Sequence, residues 1–321
     1  MTRAVVFAYH NVGARCLRVL LARGVDVRLV VTHIDNPNET IWFANVAAIA
    51  AEHGIPVITP DDANVPDIIE RIAGVAPEFL FSFYYRSMLS KAVLDLPTRG
   101  ALNMHGSLLP KYRGRVPVNW AIINGETETG ATLHYMTEKP DNGDIVAQTA
   151  IPILPDDTAR EVFDKVTVAA EIALYDVLPA LIAGTAPRIA QNLALGGYFG
   201  GRTPEDGRID WRNRATNIHN LVRAVAPPYP GAFSDTSAGR LIVHRTRVVN
   251  AATRSEAMDR RPALRIADDR IYADCGSGTL EILSARLEDE ALTASNFATL
   301  MEHGAMLALE RKDGDGSLMR K

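Results

Sequence analysis

The sequence predicts an α/β protein: a doubly wound domain built on a mostly parallel sheet, followed by a smaller β-rich domain. Three observations carry that reading. Short apolar runs alternate with helical stretches through the first half of the chain. Several of those runs are apolar on both faces, which suits parallel strands covered by helices. From Gly196 onward the pattern changes to glycine-rich turns and short strand-like runs.

Taken in order, residues 5–9 (VVFAY) predict the first strand, and residues 12–22 a helix with Cys16, Val19 and Leu20 on one side. Residues 27–32 predict a second strand; the polar turn HIDNPNE then leads into a helix over 40–52, closed by Gly54. A strand over 56–59, a helix over 64–72, a strand over 79–83, a helix over 88–96 and a strand over 101–105 complete the βα series. Residues 116–124 predict a helix with Pro117 in its first turn, and strands follow over 131–136 and 145–153. Thr158 is placed to cap a long helix reaching residue 180, with Phe163, Val166, Ala170 and Leu174 as its apolar stripe. The stretch GGYFGGRTPEDG reads as a linker or surface loop. A helical turn over 218–225, the segment PPYPG and strand-like runs at 241–244, 263–266, 271–273 and 280–284 predict a small barrel-like domain. The expected division is 1–195 for the α/β domain, 196–230 for a linker and interdomain helix, and 231–321 for the β-rich domain.

The chain has 321 residues, 47% of them apolar and 22% charged, with a formal net charge of −4. That is ordinary globular composition, long enough for a substantial core. No basic excess points to nucleic acid, which is not an expected partner. Cys16 and Cys275 lie far apart and match neither a metal spacing nor a disulfide framework, so a reducing compartment is expected. With no leader-like start and no uninterrupted apolar run of spanning length, a cytosolic protein without membrane insertion is expected.

Several chemistries are disfavoured by missing motifs. The first strand is followed by YHNVGARC, with Gly13 alone, and not by the GxGxxG of a dinucleotide fold. GxxxxGK[ST], GxSxG and HExxH do not occur either. His33 and Asp35 read as turn residues and no metal is expected.

The stretch NMHGSLLPKYRGR, residues 103–115, is different. Asn103 and His105 stand two apart on a strand, so both project to one face, at the carboxyl end where open α/β sheets bind ligands. An amide donor beside an imidazole can polarise a carbonyl and stabilise the oxyanion formed when a nucleophile attacks it. Asp141, in EKPDNGDIV, is a carboxylate that can orient such an imidazole and help collect a proton. Asp144 is the nearby rival, read as a turn or capping carboxylate. Lys111, Arg113 and Arg115 either solvate an exposed turn or meet a carboxylate or phosphate.

NMHGSLLPKYRG resembles the signature of the folate-dependent formyltransferases, and DNGDIV resembles that family's aspartate segment. The resemblance implies a Rossmann-like formyltransferase fold and an enzyme that passes the formyl group of 10-formyltetrahydrofolate to an amine. It further implies that Asn103 stabilises the oxyanion, His105 transfers the proton, and Asp141 tunes His105 and aids deprotonation of the amine. Gly106 departs from the proline found there in the glycinamide branch and suits the tRNA and sugar branches.

FAYHNVG, THIDNPNE, FSFYYR, LPKYRGR, NGETETG and VRAVAPPYPGAF are similar to the branch that formylates UDP-4-amino-4-deoxy-L-arabinose within a bifunctional polymyxin-resistance enzyme. That similarity implies a UDP-amino sugar as acceptor and a place in lipid A modification. It also implies a folate pocket lined by Ser87, Met88 and Leu89, with Arg115, Thr137, Glu138, Lys139 and Pro140. The acceptor's diphosphate is expected near Arg202, Thr203, Pro204, Asn217, His219 and Arg223. The bifunctional relatives continue into an NAD-dependent decarboxylase; this chain holds no counterpart, so a separate oxidative decarboxylase is expected, and the fused enzyme's hexamer is not. The oligomeric state stays open, a homodimer being one of the states allowed.

Three rivals share the motif. Methionyl-tRNA formyltransferase would use the same chemistry, but THIDNPNETIWF carries no lysine or arginine where that branch has a basic insertion. Hydrolysis of formyl-folate would use water as acceptor. A folate- or nucleotide-binding module would bind without turnover.

Overall fold

A computed structural model describes residues 1–236, 238–249 and 262–300 of the chain. The apolar runs of the first half become β1 (Arg3–Ala8), β2 (Asp26–Val31), β3 (Val57–Ile58), β4 (Phe79–Phe83) and β5 (Gly100–His105). Helices α1 (His10–Ala22), α2 (Val46–Glu52), α3 (Pro66–Gly74) and α4 (Lys91–Leu94) separate them. Every residue of β4 is buried, as its two apolar faces require.

Helix boundaries depart from the sequence expectation for local reasons. α1 starts at His10, two residues early, directly after the extended Tyr9. α2 starts at Val46 and not at residue 40, because Asn45 caps it: the Asn45 side chain accepts from the Ala48 N–H at 3.0 Å. The preceding Trp42 and Phe43 instead place their rings 4.4 and 4.1 Å from the His10 ring. α3 opens on Pro66, where a missing N–H costs nothing. α4 is one turn; residues 87–90 remain a loop, braced by Asn64, which donates to the Met88 carbonyl at 3.0 Å and accepts from Ser90 N–H at 2.6 Å.

Beyond β5 lie the two-residue β6 (Arg113–Gly114), α5 (Pro117–Ile123), β7 (Glu128–Tyr135), β8 (Ile145–Pro152) and the long α6 (Ala159–Ala183). Thr158 caps α6 through a reciprocal capping box with Glu161, and Gly184, at φ 76°, ends it in the left-handed region. α6 is long and apolar enough in mean hydropathy to cross a membrane, but Phe163, Val166, Ala170 and Leu174 are buried as it packs on α1, β7 and β8.

The main sheet has the order β3-β2-β1-β4-β5-β7-β8. β1 to β5 pair in parallel, and β7 and β8 add antiparallel strands beyond β5. Strand order therefore reverses at β1, and the chain's chemistry collects past the carboxyl ends of β1, β4 and β5.

The chain divides into two compact units, 1–122 with 126–202, and 123–125 with 203–321. The division falls seven residues later than the sequence suggests, because the glycine-rich stretch is structural: β9 (Tyr198–Phe199) pairs in parallel with β6. In the second unit, α7 (Ala215–Ala224) packs against β11 (Gly239–Val249) and β14 (Thr279–Leu287). Ile218 and Val222 share a core there with Trp211, Leu241, Val243 and Leu280. With β10 (Ala232–Thr236), β12 (Ala263–Ala267), β13 (Arg270–Asp274) and β15 (Glu290–Ala291), the antiparallel order is β10-β11-β14-β13-β12, β15 joining β14. The second unit is thus the small antiparallel β-rich domain that the sequence predicts, and among the described residues no ladder joins β12 back to β10.

Candidate active site

Asn103 and His105 lie two apart on β5, and β5 pairs antiparallel with β7 so that Asn103 stands opposite His134. Residues opposite one another in such a pair share a face. Asn103 Nδ2 is accordingly 3.2 Å from His134 Nε2. The Asp141 carboxylate closes the group: Oδ1 lies 3.5 Å from His105 Nδ1 and 3.4 Å from His134 Nε2. Its other oxygen accepts from the Gly114 N–H at 2.8 Å. His105, His134 and Asp141 are all buried, at 6%, 1% and 9% exposure, so each charge among them is felt at low dielectric.

Neighbouring carbonyls assign the protons. His105 Nε2 is 2.8 Å from the Tyr112 carbonyl, which can only accept, so that nitrogen carries the hydrogen. In the neutral ring Nδ1 is then a free base facing Asp141. His134 Nδ1 likewise donates to the Tyr135 carbonyl at 2.9 Å, leaving Nε2 of the neutral ring to accept from the Asn103 amide.

Burial lowers the pKa of His105, an effect that the Asp141 charge and the Tyr112 hydrogen bond partly offset. Burial alone would raise Asp141, but His105, His134 and the Gly114 amide outweigh it and hold the carboxyl well below its ordinary value. The resting pair is a carboxylate beside a neutral imidazole. Such a pair can take one proton onto His105 Nδ1 and stabilise the imidazolium it makes, while the second hydrogen of Asn103 Nδ2 stays available to an oxyanion.

The basic loop is largely committed to its own chain. Lys111 Nζ meets Glu126 at 3.3 Å, and the same carboxylate accepts from Tyr112 Oη at 2.8 Å. Arg113 donates to Asn142 Oδ1 at 2.8 Å and to the carbonyls of Gly196 and Leu193 at 3.1 and 3.3 Å. Arg115 pairs by its backbone N–H with the Phe199 carbonyl at 2.9 Å and keeps an exposed side chain.

Of the other sequence candidates, Ser87, Met88 and Leu89 follow β4, with Leu89 buried and Met88 60% exposed. Thr137, Glu138 and Lys139 are exposed and Pro140 partly buried on the loop after β7. A cleft of about 350 Å³ beside that loop is lined by Leu94, Tyr135 and Met136 together with Arg99, Asp144 and Arg188. The Asp144 carboxylate pairs instead with Arg188, at 3.4 Å. His33 and Asp35 are turn residues: His33 Nε2 accepts from the Arg86 N–H at 3.0 Å and Asp35 from Tyr9 Oη at 2.7 Å.

The six acceptor candidates divide between the two units. Arg202 lies in the first unit, its guanidinium 4.8 Å above the Trp120 ring, whereas the others lie in the second. Thr203, Pro204 and Asn217 are exposed. His219 and Arg223 are buried, His219 Nδ1 2.9 Å from Thr246 Oγ1 and Arg223 Nε donating to Asn220 Oδ1 at 3.0 Å.

Comparison with known proteins gives two family matches: the formyl transferase domain over residues 5–178 and the formyl transferase C-terminal domain over 202–301. Among solved structures, the chain is similar to an N-formyltransferase from Helicobacter canadensis in complex with folinic acid and dTDP-3-aminofucose. Identity there is 21% and the TM-score 0.68, over 88% of this chain and 98% of that one. It is similar to WlaRD, a sugar 3N-formyl transferase crystallised with dTDP and 5-N-formyl-THF, at 20% identity and a TM-score of 0.69, over 90% and 99% of the two chains. HypX from Aquifex aeolicus, in complex with tetrahydrofolic acid, matches at 17% identity and a TM-score of 0.60, over 94% of this chain and 48% of that one.

Proposed function

Because the chain belongs to the formyl transferase family, we propose that it transfers the formyl group of 10-formyltetrahydrofolate to the amine of a nucleotide-linked sugar, UDP-4-amino-4-deoxy-L-arabinose. The observation that carries the chemistry is the convergence of Asn103, His105 and Asp141 on one buried point. The sugar class draws support from the relatives above, whose structures hold folates and dTDP or a dTDP-amino sugar. The pentose and the uridine rest on the sequence similarity, as does a role in lipid A modification and polymyxin resistance.

The residues present suit a folate. Buried Leu89 and exposed Met88 give one apolar edge, and the loop of Thr137, Glu138, Lys139 and Pro140 starts at a mixed cleft where Leu94, Tyr135 and Met136 stand beside Arg99 and Arg188, apolar surface for a flat ring next to cations for a carboxylate. Ser87 and Arg115 add polar contacts in this reading. When bound, the donor supplies a carbonyl carbon on a nitrogen leaving group. Asn103 Nδ2 donates to the carbonyl oxygen as negative charge gathers there. His105 Nδ1 takes the proton the attacking amine must lose, and Asp141 stabilises the imidazolium, which then returns the proton to the departing nitrogen. No metal enters this scheme. For the acceptor, Arg202, Thr203, Pro204 and Asn217 are proposed diphosphate contacts; His219 and Arg223 serve through the packing of the second unit.

The test is an acceptor screen. Purified protein is incubated with 10-formyltetrahydrofolate and, separately, UDP-4-amino-4-deoxy-L-arabinose, dTDP-linked amino sugars, or initiator methionyl-tRNA, and products are read by mass. N-formylated UDP-sugar is expected. Formylation of a dTDP-sugar in its place would replace the nucleotide and sugar named here. Formylation of tRNA alone, or formate release undiminished by any amino sugar, would overturn the reading.

A further inference from the structure

The basic loop poses a question the proposed chemistry leaves open: why an arginine occupies position 113 when its guanidinium does not face the catalytic group. Its contacts answer it. Nη1 holds the side chain of Asn142, the residue after Asp141, while Nη2 holds the carbonyls of Leu193 and Gly196. Its backbone N–H donates to the Gly197 carbonyl at 3.0 Å. The residues flanking it complete the catalytic pair, Tyr112 through its carbonyl on His105 and Gly114 through its N–H on Asp141. One tripeptide therefore holds the imidazole, the carboxylate and the loop that carries the carboxylate.

That loop needs holding. Asp141 has φ of 57°, a left-handed conformation that a residue with a Cβ adopts only under constraint. Gln191 supplies part of the constraint, donating to the carbonyls of Asp141 and Gly143 at 2.9 and 2.6 Å. Arg113 adds a grip on the side chain of the loop's next residue. A planar fork reaching three acceptors in two segments is a task for guanidinium; an ammonium lacks that geometry.

We propose that Arg113 is a positioning residue: by fastening Asn142 to the segment 193–196 it keeps the Asp141 carboxylate against His105. The inference rests on the proposed roles of His105 and Asp141. It predicts more than a loss of stability, because a displaced carboxylate changes the ring it served. Asp141 and His134 are the ionisable groups set on the His105 ring. Moving Asp141 away removes the counter-charge of the imidazolium, so His105 should titrate at lower pH.

The experiment compares wild type with Arg113→Met, Arg113→Lys and Asn142→Ala, using Asp141→Asn as the reference for complete loss of the counter-charge. NMR titration of the His105 ring gives a readout that needs no turnover. Arg113→Met and Asn142→Ala should shift the His105 titration to lower pH, part of the way to Asp141→Asn, with Arg113→Lys between them and wild type. In formyl transfer, kcat should fall about 10- to 100-fold with KM within about twofold, as a misplaced group costs rate more than binding. The acid limb of kcat should move to lower pH with the ring. A His105 titration unchanged in both Arg113→Met and Asn142→Ala would overturn the proposal, whatever the melting temperature did. If wild type formylates no acceptor while the titration still shifts, the positioning role stands and the functional reading falls. Should Arg113→Met fail to fold, Asn142→Ala alone decides.

Discussion

On one side of β5 the main sheet is parallel, and helices link its successive strands; on the other side β7 and β8 are antiparallel and joined to each other by a loop. The parallel side presents strand ends and the turns that leave them: Tyr9, Tyr84 and His105 all sit at carboxyl ends. The antiparallel side contributes His134, the last residue but one of β7, together with the loop that follows it and carries Asp141. The candidate active site occupies the seam. It takes a base and an amide from a strand whose end is open, and a second histidine and a carboxylate from a partner that runs the other way. A purely parallel neighbour would need a crossover to bring Asp141 back; here six residues of chain separate it from His134, and the two meet in one carboxylate-to-imidazole contact.

The comparison is broken most severely from the parallel side. His105→Ala removes the base and leaves Asp141 with one histidine partner. Formyl transfer should fall about 10³-fold, within the range general-base loss produces. Folate affinity, measured by calorimetry, should stay within about threefold. Transfer at a tenth of wild-type rate or better would mean that another group takes the proton.

From the antiparallel side the expected effect is smaller. His134→Leu removes the partner of Asn103 Nδ2 and one neighbour of Asp141, yet leaves the base and the Asn103 amide in place. Losing one buried hydrogen bond costs about 1–2 kcal/mol, so kcat should fall about tenfold. A double-mutant cycle sharpens this. If His134 works by aiming the Asn103 amide, Asn103→Ala should cost markedly less in the His134→Leu background than in wild type. Costs that simply add would show that the cross-strand contact has no role in turnover.

The two sides also differ in how much of them can be read without coordinates. Asn103 and His105 are legible because strand periodicity alone puts positions i and i+2 on one face. His134 is not: ATLHYM reads as an interior strand, and only the pairing of β5 with β7 sets His134 opposite Asn103. The carboxylate was legible as a candidate within EKPDNGDIV, but its preference over Asp144 depends on which one the loop turns inward. The basic loop misleads for a similar reason. Lys111 and Arg113 count as cations in any composition, while their partners Glu126 and Asn142 lie 15 and 29 residues away. The glycine-rich stretch misleads by residue type. Gly196 suggests a flexible linker, yet a Cβ there would collide with the Pro110 carbonyl, so the glycine permits close packing of two segments. In each case a local rule was sound and a contact distant in sequence decided the outcome.

The finest test separates two carboxylates three residues apart on one loop. Asp141 is buried at 9% exposure, depressed in pKa and in contact with both histidines. Asp144 has a side chain 38% exposed, paired at 3.4 Å with an arginine that is itself 60% exposed. An exposed pair of that kind is worth about 0–1 kcal/mol, and it lines the cleft beside the loop and not the contact of Asp141 with the histidines. The Asp144 carbonyl accepts from the Tyr135 N–H at 2.9 Å, but Asn keeps that backbone bond. Asp144→Asn should therefore change formyl transfer by less than about twofold and leave the acid limb of its pH profile where it was. Asp141→Asn should move that limb to lower pH, because the His105 imidazolium loses its counter-charge. An Asp144→Asn variant that shifted the limb as Asp141→Asn does would mean that the loop exchanges its two carboxylates at His105 during turnover, and the assignment of roles along it would have to be reversed.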